Sequence, residues 1–268
     1  MDDQQALSDE EIEGHCAEIE RCNQRGGRML SLVDLLRSAT VDLDLAAHLA
    51  TVVCRGASFL VGALPGGAGK TTVMYALLNF VPPDRRLIAA DSLATIRRGL
   101  ASADSEPLCY ICHEIGSGPY YAYLWGQGAR DFFALPAAGQ MIATNLHADT
   151  LDQCRRQLCE ENGVRPDDFH RCRLCLFLVH TGSWSHSRRR IATVYESDGH
   201  GPHQLVWRWD SKRDTFARVG ESRLVPSGDP DVAALRDVLR EMVTKNTYTI
   251  DGVRRGFVGF MSRSNSRH

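Results

Sequence analysis

Hydrophobic positions change their spacing along this chain, and the change separates strands from helices. Between residues 57 and 146, short continuous apolar runs alternate with segments whose apolar positions recur at helical spacing. The runs that we predict as strands are SFLVGAL, RLIAA, PLCYICH and QMIAT. Strands that alternate with helices in this way indicate βα units, so we predict an α/β fold with a mostly parallel sheet.

The segments on either side of this alternation have different patterns. Residues 8–58 are mainly helical: Ser8 and Glu11 form a capping-box pattern for a polar first helix, and residues 42–53 have the spacing of a further helix. After residue 163, the runs CLFLVH, RRIATVYES and HQLVWRWD predict an antiparallel extension of the sheet. A helix at 231–245 and a polar tail follow. We therefore predict a helical N-terminal segment at 1–56, a core at 57–226, and C-terminal helices with a tail at 227–268.

Composition excludes several classes of protein. The chain has 268 residues, of which 43% are hydrophobic and 24% charged, and these proportions are typical of globular proteins rather than disordered or collagenous ones. No apolar run is long enough for a membrane span, and the acidic N-terminus is unlike a secretion signal, so we expect a cytoplasmic protein. Because 31 basic residues nearly balance 33 acidic ones, no nucleic-acid partner is expected.

The strongest motif is LPGGAGKTT at residues 64–72, which follows a predicted strand and precedes a predicted helix. Glycines in such a loop let backbone N–H groups point at phosphate oxygens, and the helix adds its positive N-terminal end. We expect Lys70 to reach the β- and γ-phosphates and the Thr71 hydroxyl to bind Mg²⁺, so ATP and Mg²⁺ are the predicted cofactors. The pattern usually begins with glycine where this chain has Leu64. The predicted binding residues of the loop are Pro65, Gly66, Gly67, Ala68, Gly69, Lys70, Thr71 and Thr72.

Two polar residues follow later predicted strands. Glu114 comes after PLCYICH, and His147 comes after QMIATNL. Because parallel strands place their carboxyl ends at one edge of the sheet, Glu114 could orient the attacking water or act on the Mg²⁺ shell, and His147 could sense the γ-phosphate. The alternatives are a solvated carboxylate at a strand end and a histidine bonded to backbone.

In their order and spacing, these motifs resemble the secretion ATPase superfamily, the motors of type II and type IV secretion, type IV pili and archaella. The resemblance implies a phosphate-loop NTPase (RecA-like) core, with Asp91 in an acidic box, Glu114 as a second acid and Gly139 spaced before His147. It also implies ATP hydrolysis by Glu114, Lys70 and His147, a hexamer-type ring, a membrane platform protein as partner, and a peripheral position at the inner face of the membrane.

The chain departs from that superfamily at several positions. Residues 115–117 are Ile-Gly-Ser where members usually have Arg-Asp, an aromatic insertion GPYYAYLWGQG follows, and Arg130 with Asp131 could be a displaced version. Gln140 stands where a histidine is usual. A nucleotide-binding regulator with weak or no turnover is therefore the alternative to a motor ATPase, and a small-molecule kinase is a third one. We also expect weak, nucleotide-dependent self-association, with the polar first helix free to dock a partner.

Cysteines and arginines leave further alternatives open. Four cysteines could form a zinc module of the kind some type II secretion ATPases carry: Cys154, Cys159, Cys172 and Cys175. Their spacing lacks the paired CxxC knuckles of such modules, which favours buried thiols instead. Three arginine runs are typical of solvated surface, and one of them could supply an intersubunit arginine finger. These runs are residues 97–98, 155–156 and 188–190.

Overall fold

One sheet organises the part of the chain that the computed structural model describes, which is residues 7–23, 26–64, 67–101, 106–182 and 187–265. Within these residues the sheet has nine strands in the order β2-β3-β5-β1-β6-β7-β8-β9, and β4 pairs with β3. The strands are β1 Phe59–Gly62, β2 Arg86–Ala89, β3 Leu108–Ile115, β4 Tyr123–Leu124, β5 Met141–Leu146, β6 Leu174–Thr181, β7 Arg188–Glu196, β8 Gln204–Asp210 and β9 Thr215–Arg218.

The sheet changes from parallel to antiparallel at β6. β1 lies between β5 and β6 and pairs with both in parallel, and β3 pairs in parallel with β2, β4 and β5. β6, β7, β8 and β9 then pair with one another in antiparallel order. The predicted α/β fold with a mostly parallel sheet and an antiparallel C-terminal extension is confirmed.

Ten α-helices surround the sheet in the described ranges. They are α1 Asp9–Arg21, α2 Leu32–Arg37, α3 Leu43–Cys54, α4 Lys70–Leu78, α5 Leu93–Ala101, α6 Gln127–Ala134, α7 Leu151–Arg155, α8 Pro166–Arg171, α9 Pro230–Thr244 and α10 Ile250–Asn265. A 3₁₀ turn at Leu135–Ala138 follows α6, and a π-helix at Arg156–Glu161 continues α7. The Ser8 capping box forms as predicted. Strands β4 and β9 and helix α8 were not predicted from the sequence.

The expectation that the first helix is free to dock a partner is wrong. Ile12 and Ile19 on α1 are buried in the main hydrophobic cluster. Two polar side chains also attach α1 to the core: His15 Nε2 lies 3.0 Å from the Leu78 carbonyl oxygen, and Glu18 Oε1 accepts the Ala89 N–H at 3.0 Å. The sequence of α1 looks polar because its few apolar residues lie along one narrow face of the helix.

Hydrophobic residues fill both faces of the sheet. Along β3 the side chains alternate: Cys109 and Ile111 belong to the larger cluster, and Tyr110 and Cys112 belong to the cluster beneath α5 and α6. The larger cluster contains residues from all three predicted segments, whose boundaries stay a prediction. None of the helices in the described ranges is long and apolar enough to span a bilayer.

Candidate active site

The glycine-rich loop connects β1 to α4, as the motif predicted. β1 ends at Gly62, and α4 begins at Lys70. Gly67 and Gly69 have φ values of 80° and 99°, left-handed conformations that favour glycine. Within the residues described, no side chain caps the N-terminus of α4, and a helix N-terminus is a favourable place for an anion. Pro65 and Gly66 of the predicted binding set lie outside the described residues.

Two neighbouring segments fix the ends of this loop. The Leu64 N–H donates to Asp149 Oδ1 at 2.6 Å, and the Gly67 carbonyl oxygen accepts from Arg189 Nε at 2.9 Å. Asp149 follows β5 and Arg189 lies on β7, so residues of two strands outside the motif hold the loop in place. Arg189, one of the three arginines at 188–190, contacts the loop of its own chain.

A three-residue cluster lies at the carboxyl edge of the parallel strands. Lys70 Nζ donates to Glu114 Oε1 at 3.1 Å, to the Ala63 carbonyl oxygen at 3.1 Å, and lies 3.1 Å from His147 Nδ1. His147 Nε2 lies 2.7 Å from the same Glu114 oxygen. The structure therefore brings together the three residues that we predicted as catalytic. The Lys70 and Glu114 side chains are 9% and 8% exposed, and His147 is 50% exposed.

The partners of His147 define a proton arrangement. Lys70 carries only donors, so Nδ1 of His147 accepts from its ammonium group. Nε2 then carries the proton and donates to the Glu114 carboxylate. A neutral imidazole satisfies both contacts, and the cluster balances one positive charge against one negative charge.

The cluster opens into a cavity of about 580 Å³, a size typical of small-molecule sites. Residues 67–72 line one side of it, and Thr71 and Thr72 are among them. The opposite side comes from the N-terminal segment and the aromatic insertion, which sequence analysis did not place at the site. The further lining residues are Asn23, Gly26, Arg28, Met29 and Leu30 of the N-terminal segment, Tyr123 of the insertion, Tyr75 of α4 and His113 of β3.

A second cavity of about 540 Å³ lies on the other side of the loop and shares residues 67–69 and Thr72 with the first. Leu30 and Leu35 line it on the apolar side, and residues 188–190 line it with arginine. Arg190 is held by Asp214, with Nε to Oδ1 at 2.7 Å. The glycine-rich loop thus stands between two cavities that meet along its length.

Several residues from the sequence analysis lie elsewhere. Asp91 follows the edge strand β2, accepts from the Thr95 hydroxyl at 3.4 Å and does not line the first cavity. Gln140 lies at the amino end of β5, at the opposite edge of the sheet, where its Oε1 accepts the Leu108 N–H at 2.8 Å. Arg130 and Asp131 lie on α6 and bond within their own region: Arg130 Nη1 donates to the Asn162 carbonyl oxygen at 2.7 Å. They are not brought to Glu114.

The cysteines are all free thiols, and seven of the nine are buried. Burial raises the pKa of Cys109 and of Cys112 to about 12, which keeps both protonated. No group of three or more potential metal ligands occurs in the ranges that the structure describes.

The donors at this site fit a nucleotide phosphate with Mg²⁺. An uncapped helix N-terminus and the Lys70 ammonium group supply positive charge on the side where phosphates would lie. The Thr71 hydroxyl and the Glu114 carboxylate are oxygen ligands, which Mg²⁺ prefers. The chain is thus an α/β protein with a glycine-rich loop between β1 and α4 at the carboxyl edge of its parallel strands.

No protein-family model matches this chain, and no curated protein matches it. Among solved structures, it is similar to the VirB11 ATPase from the Brucella suis type IV secretion system in complex with sulphate, with a TM-score of 0.44 and 20% sequence identity over 62% of this chain and 54% of that chain. It is also similar to the Legionella pneumophila ATPase DotB, with a TM-score of 0.39 and 10% identity over 74% of this chain and 56% of that chain. The chain thus spans about half the length of these structures.

Proposed function

We propose that this protein binds MgATP and hydrolyses it, as a motor-type ATPase of a secretion or type IV pilus-like system. The observation that carries the proposal is the meeting of Lys70, at the start of α4, with Glu114 and His147 at the ends of two parallel strands. Three stretches of sequence that are far apart along the chain therefore contribute side chains to one cavity.

Each group has a role in the proposed reaction. The loop N–H groups and Lys70 would bind the phosphate oxygens, and Thr71, with Glu114 through water, would hold a Mg²⁺ ion that would supply positive charge to the β- and γ-phosphates. Glu114 accepts a proton from water as the water oxygen bonds to the γ-phosphorus. The bond from that phosphorus to the β–γ bridging oxygen breaks, and ADP leaves with the bridging oxygen. His147 donates to Glu114 before nucleotide arrives and is placed to sense the γ-phosphate afterwards.

A regulator that binds ATP with little turnover is the second candidate, and one observation favours it. Both oxygens of Glu114 already have donors: Oε1 faces Lys70 and His147, and Oε2 accepts from the Tyr123 hydroxyl at 3.2 Å. Both oxygens of this carboxylate are therefore engaged before a water molecule could reach either of them. Hydrolysis therefore requires that nucleotide binding draw both Lys70 and His147 away from Oε1.

The proposal extends to assembly and place of action. We infer a ring of subunits whose contacts strengthen with nucleotide, a membrane platform protein as partner, and action at the cytoplasmic face of a membrane. Nucleotide binding by Asp91 also belongs to this proposal, because a residue at an edge strand can reach a nucleotide only if the loop after β2 moves or a neighbouring subunit brings its site there.

The test is titration calorimetry with a non-hydrolysable ATP analogue and Mg²⁺, together with a phosphate-release assay. Lys70→Ala should abolish measurable binding and turnover, since the phosphates lose their main cation. Lys245→Ala is the matched control, because Lys245 forms a surface ion pair with Glu241 on α9. Equal affinity of Lys70→Ala and wild type would refute nucleotide binding at this loop. Tight binding by wild type without phosphate release would favour the regulator.

A further inference from the structure

We propose that Tyr123 is a positioning residue for the hydrolytic carboxylate: its hydroxyl fixes one oxygen of Glu114 so that the other faces the water. This inference rests on the proposed ATP hydrolysis. It gives a role to the aromatic insertion, which the sequence alone did not explain.

The backbone of the insertion is paired against the residues on either side of Glu114. The chain turns at Ala122, whose φ is 52°, and β4 then lies parallel to the end of β3. The His113 N–H donates to the Ala122 carbonyl oxygen at 2.8 Å, and the Gly116 N–H donates to the Leu124 carbonyl oxygen at 3.0 Å. Two short hydrogen bonds therefore flank Glu114.

The register of this pairing places Tyr123 directly beside Glu114. Side chains that are paired across two strands lie on the same face of the sheet. The Tyr123 hydroxyl accordingly donates to Glu114 Oε2 at 3.2 Å, while Lys70 and His147 contact Oε1. The tyrosine thus engages one oxygen, and the two groups expected to turn to phosphate engage the other.

The ring of Tyr123 is held in place by other aromatic residues. It stacks on His113 with centroids 5.7 Å apart and contacts Tyr120 at 5.0 Å. His113 Nδ1 lies 3.3 Å from the Tyr75 hydroxyl, which donates to the Cys22 carbonyl oxygen at 3.1 Å. A hydrogen-bonded chain therefore connects the insertion to the end of α1. A donor fixed in this way costs little further ordering when the substrate binds.

These contacts predict how Glu114 is oriented during the proposed reaction. When Lys70 and His147 turn to the phosphates, the bond from Tyr123 to Oε2 stays, because it does not involve the oxygen that these two groups leave. Glu114 then keeps its orientation, and Oε1 becomes free to accept the proton of water. Without the hydroxyl, the carboxylate rotates among several orientations, and fewer of them are productive.

The test is Tyr123→Phe, which removes the hydroxyl and keeps the ring, with Tyr120→Phe as the matched control. We expect kcat to fall about tenfold in Tyr123→Phe, with KM and the Kd of a non-hydrolysable analogue unchanged, the pattern of a lost interaction that matters only in the reaction. Tyr120→Phe should turn over as wild type. The melting temperatures of both variants should equal that of wild type.

A double variant separates positioning from a merely structural role. If Tyr123 acts through Glu114, Tyr123→Phe should not slow the Glu114→Gln variant further, because the group that it positions is already inactive. Multiplied losses in the double variant, or full activity in Tyr123→Phe, would overturn the inference while leaving ATP hydrolysis intact. A wild-type chain that binds MgATP without hydrolysing it would instead overturn the proposed hydrolysis, and this role with it.

Discussion

Replacing Glu114 with glutamine should make the protein bind MgATP more tightly while it hydrolyses ATP more slowly. Glutamine keeps the size of the side chain and one acceptor oxygen, and it removes the negative charge. In the structure that charge holds Lys70 at 3.1 Å, in a pair whose two side chains are both more than nine-tenths buried. Nucleotide phosphates therefore compete with Glu114 for the same ammonium group.

The size of the effect follows from this geometry. At an effective dielectric constant of about 20, opposite unit charges 3.1 Å apart attract by about 5 kcal/mol. Most of that attraction returns when phosphate oxygens replace the carboxylate, so we expect a net gain of about 1.4 kcal/mol, or tenfold in Kd. Turnover should fall about 100-fold or more, the scale of losing a general base.

Calorimetry with a non-hydrolysable analogue measures the first quantity, and phosphate release measures the second. Glu160→Gln is the matched control, because it removes the same charge from an exposed pair with Arg155, 2.8 Å apart, outside the cavity. That variant should match wild type in both assays. Unchanged or weaker nucleotide binding by Glu114→Gln would refute the competition for Lys70, and unchanged turnover would refute its role as the base.

Three further outcomes follow from the structure. Asp149→Ala should weaken binding of the ATP analogue about tenfold, because the Leu64 N–H loses its carboxylate acceptor at 2.6 Å and the loop becomes less ordered. Equal affinity of this variant and wild type would show that the loop does not need this hydrogen bond. Burial lowers the pKa of His203 to about 4, below the ordinary histidine value of 6.5 that applies in the unfolded chain. As pH falls below about 6.5, protons therefore bind the unfolded chain first. The free energy of unfolding should drop by about 2 kcal/mol between pH 7.5 and 5. Urea titrations of His203→Gln, which should lack most of that drop, check this cause, and an unchanged pH dependence would contradict it. Sedimentation should show self-association that strengthens with the ATP analogue; a stable hexamer without nucleotide would contradict the nucleotide dependence.

The phosphate loop and its two partners could be predicted from sequence because their chemistry is local. Lys70 follows glycines at a strand-to-helix junction, and Glu114 and His147 each follow an apolar run that reads as a buried strand. The carboxyl ends of parallel strands share one edge, so proximity followed from fold class alone. Asp91 has the same local pattern, but strand order puts β2 at the edge of the sheet, and strand order depends on pairing between distant residues.

Contacts between distant segments could not be predicted from the sequence. The Tyr123 hydroxyl reaches Glu114 only because the insertion folds back as a two-residue strand, too short for any alternation of side chains to reveal. Asp149 likewise reads as part of a turn after His147, and its bond to the Leu64 N–H depends on how two loops meet in space. In each case the local sequence fixes the residue type but not the partner.

The N-terminal segment forms one wall of the candidate active site, which changes how its helices should be understood. Leu32 and Val33 on α2 and Ile19 on α1 are fully buried in the main cluster, and burying such side chains contributes about 1.5–3 kcal/mol each. Between these helices, Gly26 and residues 28–30 line the cavity together with the glycine-rich loop, and Arg28 is held there by Asp34 at 2.8 Å. Burial of these hydrophobic side chains therefore also holds the wall of the candidate site in place. Loss of the segment would open the cavity and remove part of the core beneath α4, so nucleotide binding and the folding of residues 7–56 should be coupled.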